Sequence, residues 1–339
     1  MASLATAPDA WTGARATVLN RAGNLTWLQG DYEAAQSLLS ESLSLRRQLG
    51  DRRGTAISLG SLGELARVQG NYSAARSLFE AGLTIGRELR EPTVITSILN
   101  GLGNVARLQG DYEIAEVLLG ESLAVAEQRA DRRSIAFSLA RLGEIARAKG
   151  ENISARSLLE RSLAIGRELG DRLSIATSLS GLGDLARQRG EYLMASSLLE
   201  ESLAIRLATQ NRRGVASSLI RLGELALEQK EYPEASARLI ESLDIGRALG
   251  NDHYTALALE GLACVAAATG ASERALRLAG AAVGLRASAG TVRGAAERGQ
   301  LEQALRSARL ALSHDEGATA WAKGLAMSAD LACTFARDI

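Results

Sequence analysis

Leu62-Gly63 recurs as Leu102-Gly103, Leu142-Gly143, Leu182-Gly183 and Leu222-Gly223, forty residues apart each time and without insertion. Ala22-Gly23 opens the series and Leu262-Ala263 closes it. A second landmark runs Tyr32, Tyr72, Tyr112, Asn152, Tyr192, Tyr232, Ser272, and a third is alanine throughout, from Ala35 to Ala275. A period held this strictly means that each unit is one supersecondary element. Such a unit cannot bury its apolar face alone and must stack on its neighbours.

Inside a unit the apolar spacing is helical. Leu59, Leu62, Leu65 and Ala66 share one face, and Ala75, Leu78, Phe79 and Leu83 share another. Gly30, Gly70, Gly110, Gly150 and Gly190 stand where a helix C-terminus takes a left-handed residue. Asp31, Asn71 and Asp111 follow as N-caps of a second helix, and Asp51, Asp131, Asp171, Asn211 and Asn251 can cap the first helix of the next unit. Pro92 and Pro233 fall near the first turn of a helix, where a missing N–H costs least. No strand pattern occurs. Each unit is therefore a pair of helices, and the chain is all-α.

A mid-helix glycine costs about 1 kcal/mol relative to alanine. One retained at the same place in six units implies close helix approach. Gly63, Gly103, Gly143, Gly183 and Gly223 are assigned to that packing, with Ala75, Ala115, Ala155, Ala195 and Ala235 as the facing small residues.

The remaining chemistry is sparse. Formal net charge is zero, with 39 basic and 39 acidic residues, which argues against a nucleic-acid face built on bulk charge. Cys264 and Cys333 have no metal-like spacing, and His253 and His314 are isolated. No Ser/His/Asp or Cys/His set is in view, and "GxG" at Gly101 and Gly103 lacks the strand that dinucleotide binding needs. Neither an enzyme nor a cofactor is expected. The N-terminal stretch has no apolar h-region and no run approaches a membrane span, so a cytoplasmic protein without membrane partners is the default expectation.

The order Leu-Gly, twelve residues to an alanine with tyrosine between, and a large apolar residue four further on (Phe79, Leu119) resembles the tetratricopeptide repeat. The resemblance covers roughly residues 12 to 290. It implies a right-handed α-solenoid of about seven helix hairpins, with a lead-in over 1–12, repeats over 13–290 and C-terminal capping helices over 291–339. Two departures stand out: the proline usual near the end of the second helix is missing, and the period is forty residues. The stretch "QGDYEAAQSLLSESLSLRRQLGDRRG" and the tail are similar to the C-terminal repeat arm of large bacterial signal-transducing ATPase (LuxR/AfsR-like) regulators. No G-x-x-x-x-G-K-[ST] loop accompanies them, so ATP-driven switching does not carry over.

In the tetratricopeptide family the first helix of each hairpin lines an inner groove, and the positions one and four after the motif glycine face it. The resemblance then gives Asn24, Asn104, Trp27, Arg67, Arg107, Arg147 and Arg187 as candidate groove residues, with Asn20 and Asn100 one turn earlier. Glu64–Arg67, Glu144–Arg147 and Asp184–Arg187, three apart on one helix, also read as pairs that neutralise each other. Three functions remain open at this stage. One is a scaffold that binds a protein or peptide in its groove. Another is a structural subunit that polymerises head to tail into a filament, which would more naturally lie outside the cell. The third is a sensing arm of a bacterial regulator.

Overall fold

The structure is a computed structural model that describes residues 7–288 and 295–337. Every regular element among them is helical, and the helices follow one another as antiparallel pairs. The seven pairs are α1 (Ala7–Gln29) with α2 (Tyr32–Gln48), α3 (Arg52–Val68) with α4 (Tyr72–Glu88), α5 (Pro92–Gln109) with α6 (Tyr112–Gln128), α7 (Arg132–Ala148) with α8 (Asn152–Leu169), α9 (Arg172–Gln188) with α10 (Tyr192–Ala208), α11 (Arg212–Glu228) with α12 (Tyr232–Ala248), and α13 (Asp252–Ala268) with α14 (Ser272–Ser288). Three more helices close the described chain: α15 (Ala295–Leu310), α16 (His314–Leu325) and α17 (Ala329–Arg337). The first helix begins at Ala7, inside the stretch read as a lead-in, and Thr291, the expected start of the tail, lies outside the described residues. The molecule divides into two compact units, Met1–Ser138 and Leu139–Ile339, with the division falling inside α7.

Local chemistry sets the helix ends. Asp31, Asn71, Asp51, Asn211 and Asn251 each accept a backbone N–H three residues on, at 2.8–3.1 Å. Asp171 takes the hydroxyl of Ser174 at 2.8 Å instead, and Asp111 makes no side-chain cap. Left-handed residues recur every twenty positions, mostly glycine, but Arg90, Ala130, Gln210 and Lys230 hold φ of 52–63°. A side chain in that region costs about 1–2 kcal/mol, so the geometry of the turn is imposed by the stack around it.

Packing within each hairpin follows one rule in both units. A Cβ placed on Gly63 would lie 2.8 Å from Phe79, and on Gly103, 2.6 Å from Leu119. In the second unit the same atom on Gly143, Gly183 or Gly223 would lie 2.7–2.8 Å from Leu159, Leu199 or Leu239. The wall opposite each glycine is thus the large apolar residue sixteen on. In the second unit the carbonyls of Ala155, Ala195 and Ala235 stand 3.3–3.4 Å from the same points. Those large residues and the alanines are fully buried or nearly so.

Buried serines add a polar seam. Ser42, Ser122, Ser202 and Ser242 donate to the carbonyls of Ala16, Thr96, Ala176 and Ala216, each twenty-six residues back on the paired helix, at 2.7–3.3 Å. The hydroxyls of Ser42 and Ser58, and of Ser162 and Ser178, meet at 3.1 and 2.9 Å. The seam satisfies each buried hydroxyl and ties a hairpin to the next helix.

In the second unit the last three helices join the core of α13 and α14. Leu301, Leu305, Cys333 and Ala336 are buried there, and burial pushes the Cys333 thiol up. The guanidinium of Arg277 stacks 4.1 Å from the Phe335 ring, and a Cβ on Gly280 would meet the Trp321 carbonyl at 2.5 Å.

Candidate binding surface

In the first unit the positions one and four after the motif glycine clasp one another on each first helix. Trp27 Nε1 donates to Asn24 Oδ1 at 3.3 Å, Arg67 donates twice to Glu64 at 2.7 and 2.9 Å, and Arg107 donates twice to Asn104 Oδ1 at 2.9 and 3.2 Å. Asn24 Nδ2 crosses from α1 to Ser61 on α3 at 3.2 Å, and Ser61 in turn donates to Asn20 Oδ1 at 3.4 Å. Asn100 is committed elsewhere. Its Oδ1 accepts from Ser122 at 2.8 Å and from Ser138 at 3.0 Å, so it belongs to the serine seam. Asn20, Asn24, Trp27 and Ser61 therefore form one connected patch across α1 and α3, with Arg67 on α3 beside Glu64.

In the second unit the corresponding face is an ion-pair network. Arg141 pairs with Glu144 at 2.8 Å, and Arg147 reaches forward to Asp184 of the next hairpin at 3.5 Å. Asp184 is almost fully buried and also meets Arg221. Arg187 skips Asp184 and pairs with Glu224 at 3.3 Å and with Glu228. The expected Asp184–Arg187 pair is replaced by contacts between hairpins. Residues thirty-seven apart are brought side by side by the forty-residue stack, and the low exposure of Asp184 favours two guanidinium partners over one. Burial pushes the Glu228 carboxyl up against the opposing effect of Arg187. On the second-helix face of the first unit, Arg76 reaches Gln109 at 2.6 Å and Asp111 at 3.4 Å, both near the end of the next first helix.

A third feature lies at the end of the second helices. Forty-residue register places Arg46, Gly86, Ala126, Gly166, Arg206, Gly246 and Arg286 at one position. Where the residue is small, the following helix packs close: a Cβ on Gly86 would meet Val94 at 3.1 Å, and on Gly246, Thr255 at 3.0 Å. Where it is arginine, the following helix supplies a glycine. A Cβ on Gly54 would lie 2.7 Å from Arg46 Cδ, and on Gly214, 2.8 Å from Arg206 Cδ. Arg46 donates to the Gly54 carbonyl at 2.5 Å, and Arg206 to that of Gly214 and to Ser218, each at 2.9 Å. Burial lowers both guanidinium pKa values, that of Arg206 to about 10. Arg286 instead forms a buried two-pronged pair with Glu260 at 2.7 and 2.8 Å. In the first unit a cleft of about 330 Å³ opens beside Arg46, lined by Thr17, Asn20, Arg21, Asp51, Arg53, Gly54 and Ile57.

The sequence profile described as "Tetratricopeptide repeat" matches residues 14–88, 94–168, 134–208 and 214–288, nearly the whole of the seven hairpins. The chain belongs to the tetratricopeptide repeat family. Solved structures agree on this fold at low identity. A Rap protein complexed with competence and sporulation factor is 12% identical, with a TM-score of 0.65, over 96% of this chain and 100% of that one. The apo form of RapI is 15% identical, with a TM-score of 0.52, over 73% of this chain and 97% of that one. A signal-transduction ATPase with numerous domains and a tetratricopeptide repeat sensor, from Pyrococcus horikoshii, is 15% identical with a TM-score of 0.50. That likeness covers 86% of this chain and 41% of the ATPase. No curated protein matches by sequence.

Two features of these tetratricopeptide hairpins were not drawn from the sequence: the serine seam and the arginine position ahead of each linker. Both are visible there once the register is followed at Ser42 and Arg46 as well as at Gly63. Among the described residues no cluster of His, Cys, Asp and Glu is placed to hold a metal ion, and no helix is long and apolar enough to cross a membrane.

Proposed function

We propose that the chain is a non-enzymatic scaffold that binds a protein or peptide partner along the first-helix face of its first unit. The observation that carries this reading is the contrast between the two units. The second unit spends its inner charges on Asp184, Glu224 and Glu228. The first carries half-buried Asn24, Trp27 and Arg107 on its first helices, with Arg107 held by the buried amide of Asn104 and Arg67 by Glu64 of its own helix, not by carboxylates of the next hairpin. A side-chain amide offers both a donor and an acceptor and so matches the backbone of an extended peptide. In this reading Arg147 and Arg187 tie hairpins together and Asn100 anchors the serine seam, whereas Asn24, Trp27, Arg67 and Arg107 meet the partner and buried Asn104 orients Arg107. The Rap chain of the same fold was solved with a bound factor, which supports a fold with room for a ligand.

A peptide selected from a random library for binding to this chain provides the probe. Asn24→Ala and Arg107→Glu are expected to weaken that peptide about tenfold or more each, with the fold retained and the melting temperature lowered by only a few degrees, because each half-buried side chain gives up one or two hydrogen bonds. Unchanged affinity in both variants would remove the face from the account.

Self-assembly is a second reading, favoured by Trp11, Val18 and Leu25. They lie seven residues apart on one side of α1 and are 79%, 65% and 63% exposed. Light scattering over a range of concentrations decides it: a monomer throughout ends the filament reading, and growth with concentration supports it.

A further inference from the structure

We infer that α1 is the interface of an antiparallel two-fold dimer, in which the α1 of a second copy covers Trp11, Val18, Leu25 and Leu28. The inference rests on the self-assembly reading and narrows it, since a two-fold contact closes at two copies and does not grow into a filament. The face is a seam. Trp11, Val18 and Leu25 recur every seven residues, Ala14, Arg21 and Leu28 fall three residues after each, and all six are exposed. That is the spacing with which one helix packs lengthwise along another. Asn24, bonded to Ser61 of α3, and Trp27, bonded to Asn24, lie off this seam.

The forty-residue register shows what these positions do elsewhere in the chain. The series of Val18 continues from Ser58 to Ala258 and that of Leu25 from Leu65 to Val265. None of these residues is more than 4% exposed, against 65% and 63% on α1. Their cover is the second helix of the hairpin before. A Cβ on Gly82 of α4 would lie 2.8 Å from Ile98, and Ser58 meets Ser42 of α2. Among the described residues α1 has no such cover. A copy added head to tail would have to offer α14, and there Ala282, at the register of Gly82, is fully buried in the core shared with Leu301 and Leu305. A second α1 is free and has the matching spacing. Antiparallel pairing suits its residues: Trp11 lies against Leu28 of the second copy, Ala14 against Leu25 and Val18 against Arg21, whereas parallel pairing would set Arg21 on Arg21. The four large apolar side chains expose roughly 500 Å² per copy, so that two copies bury about 1,000 Å², the lower end for a specific interface.

Sedimentation equilibrium of the full chain, from about 0.1 to about 100 μM, is the test, with melting of each variant at the lowest concentration as the check on folding. The parent is expected to pass from monomer to dimer with a Kd of about 1–10 μM and to stop there. Val18→Lys brings a cation against Arg21 of the second copy. It should raise Kd about tenfold or more while the dilute chain melts as the parent does. Val18→Glu meets the same arginine with the opposite charge and should weaken the dimer less. Arg21→Leu completes the apolar seam and should lower Kd about tenfold. A parent that stays monomeric throughout overturns the inference and the self-assembly reading together. Growth beyond two copies, or a dimer indifferent to Val18→Lys, overturns the α1 interface while self-assembly stands. Equal weakening by Val18→Lys and Val18→Glu would overturn the antiparallel pairing.

Discussion

Gly103→Leu is expected to cost about 3 kcal/mol or more and to loosen the α5–α6 hairpin first, because overpacking a full core site displaces both helices. Even the first atom of a side chain there would lie 2.6 Å from Leu119 Cγ, a buried group with no exposed direction in which to retreat. The helix propensity gained on leaving glycine, about 1 kcal/mol, works the other way and is too small to compensate. Gly120, in the middle of α6, is the internal control, since a Cβ there meets nothing within 4 Å. Gly120→Ala should therefore stabilise by up to about 1 kcal/mol while Gly103→Leu destabilises. Urea unfolding of the two variants beside the parent checks both signs at once. Leu119→Ala placed on the Gly103→Leu background should recover part of the loss, as expected where two residues share one space. A Gly103→Leu chain that melts with the parent would show that the repeated glycine has no steric duty.

Glu260→Gln carries the second large effect. Glu260 and Arg286 have side chains only 2% and 9% exposed and are bound to each other through both carboxylate oxygens. Neutralising the carboxylate takes from a buried guanidinium the charge that both of its prongs meet, at a cost of about 3–5 kcal/mol. Removing both partners is a different matter. Glu260→Leu with Arg286→Leu should return most of that loss, because an apolar pair of similar volume avoids desolvating two ions. Thermal unfolding of the single and double variants reads the comparison directly. Equal destabilisation in the two would mean that shape, and not charge, holds that end of the stack.

Much of the fold was legible because it is written as spacing. The interval from Gly63 to Phe79 fixes the closest approach within a hairpin, and it repeats from Gly103 to Leu119 and onward. The surface was less legible. Asp184 and Arg187 stand three apart on α9 and look like a pair, yet Arg147 and Arg221 come from the neighbouring helices and take the carboxylate. A one-dimensional reading counts neighbours along a helix, whereas a stack offers neighbours about forty residues away. Asn100 follows the same logic: its position suggests an inner surface, and two serine hydroxyls from α6 and α7 claim its oxygen. Left-handed Arg90, Ala130, Gln210 and Lys230 are legible only after the fact. Each fills a turn position that glycine holds elsewhere, and no local preference of those residues would have placed them there.

Hydrogen exchange on the chain saturated with the library-selected peptide tests the central claim most directly, namely that partner recognition belongs to the first helices of the first unit. The account expects slowed exchange in the segments of α1 and α3 around Asn24, Trp27 and Arg67, and in α5 around Asn104 and Arg107, with α2, α4 and α6 unchanged. Protection confined to the second helices, or lying wholly in the second unit, would contradict it.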